Sequence, residues 1–353
     1  MTHDFPATRK LLREWTQPGI LPGASLLVQQ DGRIKLEFAC GFASLEPRVL
    51  ATTDHIWAVG SIAKPVATAA LMQMVDRGKV GLEQRVNEFL PAFHHEKVLI
   101  RHLLTHTSGI GPIEPENEAI RKKGRARAIA DLGLLFKPGT KCSYSTPAFD
   151  LVEEIVCRIS GIDWMEYTRK NLFEPLGMMQ TSYQPPQDWG DRIATVYNPE
   201  NQVDSWWNRR YLRTIGLAGG GLFSGLRDLA AFGQAFLDGG KGILTQESCH
   251  QMTTLQTPGL FNLEGLVQTW GLGWYLNQDR EVGSGFGPLS QETFGHGGAT
   301  GTWFCVDPQH KLIVVFLTNR LGITLEESTR LQNRLMTTVF EESNRLSPPS
   351  SAV

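Results

Sequence analysis

The chain is poor in cysteine, has little net charge and lacks long apolar runs. Among its 353 residues the five cysteines, Cys40, Cys142, Cys157, Cys249 and Cys305, are scattered and form no C-x-x-C pair. That spacing argues against a disulfide framework or a cysteine-based zinc site and suits reduced thiols of a cytoplasmic protein. Lys and Arg number 34 against 36 Asp and Glu, a formal charge of −2. So even a balance argues against nucleic acid as a partner. No apolar run approaches the ~20 residues of a membrane span. The stretch Met1 to Arg13 has no signal-peptide core, so the expectation is a cytoplasmic protein without a membrane span. Phosphate-loop patterns are missing as well: Gly219-Gly220-Gly221 runs into Leu-Phe-Ser rather than opening a phosphate-binding helix. Nor is there a G-x-S-x-G nucleophile elbow.

What is present begins with Ser61-Ile62-Ala63-Lys64, followed at once by Pro65. Proline is tolerated in the first turn of a helix and breaks its interior. The run Val66 to Asp76 reads as helix, closed by Arg77 and Gly78. Ser61 is therefore expected at the helix start, where free N–H groups and the dipole favour negative charge. Lys64, three residues on, shares its face. In apolar surroundings a lysine loses pKa and can exist neutral, and a base beside a serine hydroxyl activates it as a nucleophile. Taken alone, the same four residues also fit a capping serine and a snorkelling lysine.

Strands are expected near the two ends of the chain. Ala24–Gln30 and Arg33–Cys40 flank Asp31-Gly32, a hairpin signal. Trp303–Asp307 and Lys311–Thr318 flank Pro308-Gln309-His310. Amphipathic helices are expected over Phe5–Thr16 and Leu325–Glu342. The middle reads as helical: Leu99–Thr105, Arg125–Phe136, Ala148–Ser160, Trp164–Leu172 and Gly225–Gly239. The economical fold is α+β, an antiparallel sheet built from both ends, flanked by the terminal helices, with a helical lobe between. We expect one catalytic domain over residues 1–345. Its α/β lobe would take about 1–58 and 215–342, its mainly helical lobe about 59–214, and residues 346–353 would form a flexible tail. Residues 184–213, with Trp189, Trp206, Trp207 and Tyr211, and residues 277–292 read as loops over a cleft.

Tyr144-Ser145-Thr146 follows Lys137-Pro138-Gly139-Thr140 and precedes a helix. A tyrosine near ammonium groups can act as a base, or can simply be a loop residue bonded to backbone. Gly295-His296-Gly297-Gly298-Ala299 precedes the C-terminal hairpin. Its glycines would let a substrate approach an edge strand, or merely form a turn with a satisfied histidine. His102 and His106 have helical i, i+4 spacing but no H-E-x-x-H glutamate and no evident third ligand. No metal and no cofactor is expected.

In order, these pieces resemble the serine β-lactamase and penicillin-binding-protein superfamily, whose motifs include S-x-x-K. The nearest likeness is to its class C-like branch, with class C β-lactamases, D-alanyl-D-alanine carboxypeptidases and family VIII carboxylesterases. The likeness spans about residues 10 to 340. Besides Ser61-x-x-Lys64 it includes Leu103-Leu-Thr-His-Thr-Ser-Gly109, Pro138-Gly-Thr140 leading to Tyr144, Glu174-Pro-Leu-Gly-Met178, Ala218-Gly-Gly220 before Ser224, and His296-Gly-Gly298 before Gly301. The resemblance implies a β-lactamase-like fold, with Leu103–Gly109 as a structural helix end. It implies Ser61 as acylated nucleophile, Lys64 as its proton partner, Tyr144 as base and later acid, and His296, Gly297 and Gly298 as the substrate-facing strand. The N–H groups of Ser61 and Ala299 would form the oxyanion hole.

Two departures bear on the substrate. Thr146 stands where the family usually has Asn, and offers one hydroxyl in place of an amide. His296 stands where many members have Lys, and histidine is largely neutral at pH 7. Both weaken recognition of β-lactams and D-Ala peptides. The expectation is a serine carboxylesterase acting on small to medium acyl esters. A β-lactamase, D-amino peptidase or amide hydrolase of the same fold is the alternative, and a non-catalytic scaffold retaining the fold is another. The partner is a small-molecule ester or amide; the natural acyl group and the oligomeric state stay open.

Overall fold

The computed structural model describes residues 4–17, 19–113, 118–208, 218–278 and 286–346. A seven-stranded antiparallel sheet is built from both ends of the chain. Its strands are β1 (Gly23–Gln30), β2 (Arg33–Ser44), β3 (Val49–Leu50), β6 (Tyr275–Leu276), β7 (Phe294–Gly297), β8 (Trp303–Asp307) and β9 (Leu312–Thr318), in the order β3-β2-β1-β9-β8-β7-β6. A separate two-stranded pair joins β4 (Trp57–Ala58) to β5 (Phe223–Ser224). The β1–β2 hairpin turns at Asp31 (φ 51°) and Gly32 (φ 69°), a pair of positive φ values that an Asp-Gly sequence accepts readily.

Side chains alternate across a strand, and the core divides accordingly. Leu26, Val28, Val314 and Phe316 face one hydrophobic cluster with helix α1 (Pro6–Thr16) and the last helix, which ends the described chain at Leu346. Leu27, Ile313, Val315 and Leu317 face the other, with α2 (Ala63–Asp76), α3 (Pro147–Ser160) and α4 (Leu226–Leu237). Free N–H groups at the start of α1 are closed from the far end of the chain: the Ala7 and Thr8 amides donate to the Glu342 carboxylate at 2.8 and 2.9 Å. Among the described residues no helix is long and apolar enough to cross a membrane.

Differences from expectation have local causes. The helix expected over Arg125–Phe136 ends at Ala130. Gly133 takes φ 75°, and residues 134 and 135 instead bond to the Gly109–Ile110 backbone. Trp189, expected at a cleft, is buried in a turn over Gln187–Arg192. Tyr211 and residues 279–285 of the two expected loops lie outside the described residues, as do residues 347–353 of the expected tail.

Candidate active site

Ser61 does not sit inside the helix. It occupies a tight 3₁₀ turn, Gly60–Ile62, that leads into α2 at Ala63. Gly60 takes φ 56°, a left-handed conformation that glycine adopts at little cost. Pro65 falls in the first turn of α2, where a missing N–H leaves no bond unmade. The helix beyond is buried almost throughout, including Lys64, which has no exposed surface.

A lysine ammonium has three donors and no acceptor, and each donor of Lys64 is used. Its Nζ donates to Ser61 Oγ at 3.0 Å, to Thr146 Oγ1 at 3.2 Å and to the Gly219 carbonyl at 2.6 Å. Burial pulls the Lys64 pKa down from 10.5 to about 7, with the Asp150 carboxylate opposing it. Once neutral, the amine has a lone pair that can accept the Ser61 proton.

Tyr144 reaches the same point from the segment before α3. Its hydroxyl lies within electrostatic reach of Ser61, and Lys64 Nζ lies 4.7 Å from its ring centroid. Desolvation raises the phenol pKa and Ser61 opposes it, although half of the residue's surface is exposed. One ring face is held by His106, stacked at 4.4 Å and 29°. His106 in turn accepts the Ser145 amide on Nδ1 at 3.0 Å, and Trp270 packs edge-on against it at 4.5 Å. His106 therefore joins the site, while His102 turns away and accepts the Leu99 amide.

His296 projects from β7. That strand is next to last in the sheet, but β6 pairs only with Phe294 and Gly295, so His296 and Gly297 still lie along an open edge among the described strands. His296 Nδ1 donates to the Gly297 carbonyl at 2.7 Å, which leaves Nε2 as a bare acceptor. Burial, with Lys64 nearby, pushes its pKa down to about 3. Burial also holds His106 neutral, its Nε2 carrying the proton. Both Nε2 atoms are buried without a partner among the described residues.

The connection after β7 is stapled to the Ser61 turn. Thr300 Oγ1 donates to the Ala58 carbonyl at 2.7 Å, and Thr302 Oγ1 to the Val59 carbonyl at 3.1 Å. Glycine is required on both sides of this seam. A Cβ on Gly298 would lie 2.2 Å from the Val59 oxygen, and one on Gly60 would lie 2.9 Å from the Ala299 nitrogen. The Ala299 amide is thereby held beside the serine turn.

The sequence matches the Beta-lactamase family over residues 9–336. The chain belongs to that family. It is a hydrolase of the β-lactamase and penicillin-binding-protein type, with the mixed helix and antiparallel-sheet fold of that group. A relative from Escherichia coli (strain K12), provisionally named a D-alanyl-D-alanine carboxypeptidase, is 27% identical over 346 residues, covering 85% of this chain and 78% of its own. Among solved structures, a family VIII carboxylesterase superposes with TM-score 0.81 at 21% identity over 96% of this chain and 97% of its own. A penicillin-binding-protein homologue from Caulobacter crescentus superposes with TM-score 0.80 at 22% identity over 96% and 97%.

Four further residues lie at the site in places that the sequence did not assign them. Gly219, read only within Ala218-Gly-Gly220, contributes a carbonyl. Trp270 and His106, the latter weighed only as one of two metal-spaced histidines, pack around Tyr144. Asp150, a carboxylate amid the apolar run Ala148-Phe149 and Leu151-Val152, was the one legible signal, since charge on the buried face of a helix needs a partner.

Proposed function

We propose that the protein is a serine carboxylesterase that forms an acyl-enzyme at Ser61. The observation that carries this reading is the Lys64 amine, buried, pulled to about pKa 7 and 3.0 Å from Ser61 Oγ. In its neutral form Lys64 takes the Ser61 proton as Oγ attacks the ester carbonyl. Negative charge moves to the carbonyl oxygen, between the N–H groups of Ser61 and Ala299. The C–O bond to the alcohol then breaks. Lys64 returns its proton to the departing alkoxide, and Ser61 stays acylated. Water repeats the steps in reverse order and releases the acid. The base is assigned to Lys64 rather than Tyr144, because the fully buried lysine is lowered toward neutrality and its amine lies 3.0 Å from Ser61 Oγ.

Two features favour esters. His296 is neutral and presents a lone pair where a fixed cation would attract a substrate carboxylate. Thr146 already accepts from Lys64, and its short hydroxyl offers a peptide-like substrate one donor where an asparagine amide would offer two donors and a carbonyl acceptor. The carboxypeptidase-named relative supports a second reading, hydrolysis of β-lactams or D-amino amides. The test is turnover of p-nitrophenyl acetate and butyrate against nitrocefin, by wild type and Ser61→Ala. Ester turnover lost in Ser61→Ala supports the proposal. Equal turnover by both proteins removes it, and efficient nitrocefin hydrolysis with slow ester turnover transfers it to the second reading.

A further inference from the structure

Behind Lys64, away from the substrate side, lies a buried group of charges that acyl transfer itself does not call on. Arg125 pairs with Glu153 at 3.2 Å, with side chains only 21% and 14% exposed. The second Glu153 oxygen accepts the Ala218 amide at 3.1 Å. The next residue, Gly219, supplies the carbonyl that receives Lys64 Nζ at 2.6 Å. One turn earlier on α3, Asp150 is buried, with Oδ1 lacking a partner among the described residues. It stands within Coulombic reach of both Lys64 and Arg125.

We propose that Asp150 and Glu153 are positioning residues for Lys64, with Arg125 balancing both: Asp150 sets the charge on the amine, and Glu153, through Ala218, sets the Gly219 carbonyl on which the amine rests. This rests on the acyl-enzyme reading above. The geometry explains why two carboxylates lie one turn apart on a buried helix face, since without Arg125 like charges there would repel and protonate. Burial raises Asp150 to about 6 and Glu153 to about 7, and Arg125 opposes the rise in each. Asp150 is thus ionised where Lys64 titrates. The remaining groups facing this set are His106, His296 and Tyr144 around Lys64, Glu154 beside Arg125, and Cys157 and Tyr183 beside Glu153. Both histidines are held neutral and the phenols and thiol protonated, while Glu153, raised to about 7, changes charge in the same window as Lys64.

The readout is the rate at which a fluorophosphonate labels Ser61, followed from pH 5 to 9 with mass mapping of the adduct. It requires no knowledge of the natural ester. Absence of a Ser61 adduct in wild type defeats the acyl-enzyme reading itself. With wild type labelled, Asp150→Asn moves the acid limb down by about one pH unit and leaves the alkaline plateau nearly intact, as expected for losing an opposite charge. Glu153→Leu does the reverse: the plateau falls about tenfold or more through the displaced carbonyl, and Glu153→Gln, whose amide oxygen can still accept from Ala218, recovers most of it. Where Glu153→Leu unfolds, Glu153→Asp, which keeps charge but withdraws the acceptor, shows the same loss of plateau. An unmoved limb in a folded Asp150→Asn overturns the charge role. A plateau preserved in both Glu153→Leu and Glu153→Asp, or equally low in Glu153→Gln and Glu153→Leu, overturns the seat role.

Discussion

The two walls that meet at Ser61 are built on opposite principles. On the sheet side, the β7 connection is joined to the serine turn by neutral hydrogen bonds, from Thr300 to Ala58 and from Thr302 to Val59, and by glycines too crowded for any Cβ. On the helical side, Lys64, Asp150, Arg125 and Glu153 bring four ionisable groups together with little exposed surface. The neutral wall can fix backbone N–H groups where charge develops, and its geometry does not change with pH. The charged wall changes protonation near neutral pH, and the Lys64, Asp150 and Glu153 shifts each follow from desolvation opposed by a partner. On the proposed mechanism, position and proton traffic are thereby separated between two parts of the fold.

The largest effect comes from removing the charged wall's centre. Lys64→Met is expected to lower ester turnover by at least ~10³-fold, since members of a nucleophile–base unit fail together. Its stability relative to wild type is expected to be higher at low pH than at high pH, set against the cost of leaving Asp150 without one opposite charge and the Gly219 carbonyl without its donor. The sign follows from linkage. The folded Lys64 has pKa about 7 against 10.5, so folding opposes its protonation. The wild-type penalty is full below about pH 7 and fades as pH rises toward 10.5. Denaturant melts at pH 6 and pH 9 check this: stability relative to wild type must be higher at pH 6.

Gly298→Ala attacks the neutral wall with one methyl group. The new Cβ would meet the Val59 carbonyl and Thr302 Oγ1 at 2.2 and 2.3 Å, so the backbone carrying the Ala299 amide must move. Loss of one oxyanion donor costs ~10²–10³ in kcat. Unlike the Lys64 change, this one should lower kcat at every pH and leave the acid limb in place. Steady-state kinetics across pH distinguish the two walls directly.

How far each wall was legible in the sequence follows from how each is made. Ser61, Lys64 and Pro65 are close in the chain, so helix rules alone put hydroxyl and amine on one face. Even there the 3₁₀ turn was missed, because it depends on Gly60 adopting a positive φ against a distant strand. Tyr144 and His296 were found through motifs rather than derivation. Ala299 N–H and the Gly219 carbonyl are backbone groups, and any residue type carries them. The Lys64–Gly219 bond spans 155 positions, and nothing local to either residue encodes it. Arg125 and Glu153 carry no signal of their own in the sequence, since their helices' packing faces emerge only once the two elements meet. The sheet was easier: β1, β8 and β9 are short runs buried at every position and bounded by turn residues, and its first turn is Asp-Gly.

A smaller effect separates fastening from chemistry within the neutral wall. Thr302→Val removes one buried hydrogen bond to Val59 while keeping shape, at about 0.5–1.5 kcal/mol of stability. Turnover should fall by less than in Gly298→Ala, since the Gly298 amide still donates to the Thr302 carbonyl at 2.9 Å. A melt paired with kinetics checks both.

The smallest effect is the most diagnostic for assigning the titrating group. An activity rising between pH 6 and 7 in this protein would ordinarily be credited to a histidine, and His296 lies in the site. Yet burial beside Lys64 pushes His296 down to about 3, so it stays neutral over that range, and its Nδ1 proton is fixed on the Gly297 carbonyl. His296→Asn should therefore change KM, because the group facing the substrate differs, while the acid limb of kcat stays within ~0.2 pH units of wild type, far less than the 1–3 units that a lost charged partner produces. A limb that moves with His296 and not with Asp150 would put the proton traffic on the sheet side and erase the division between the two walls.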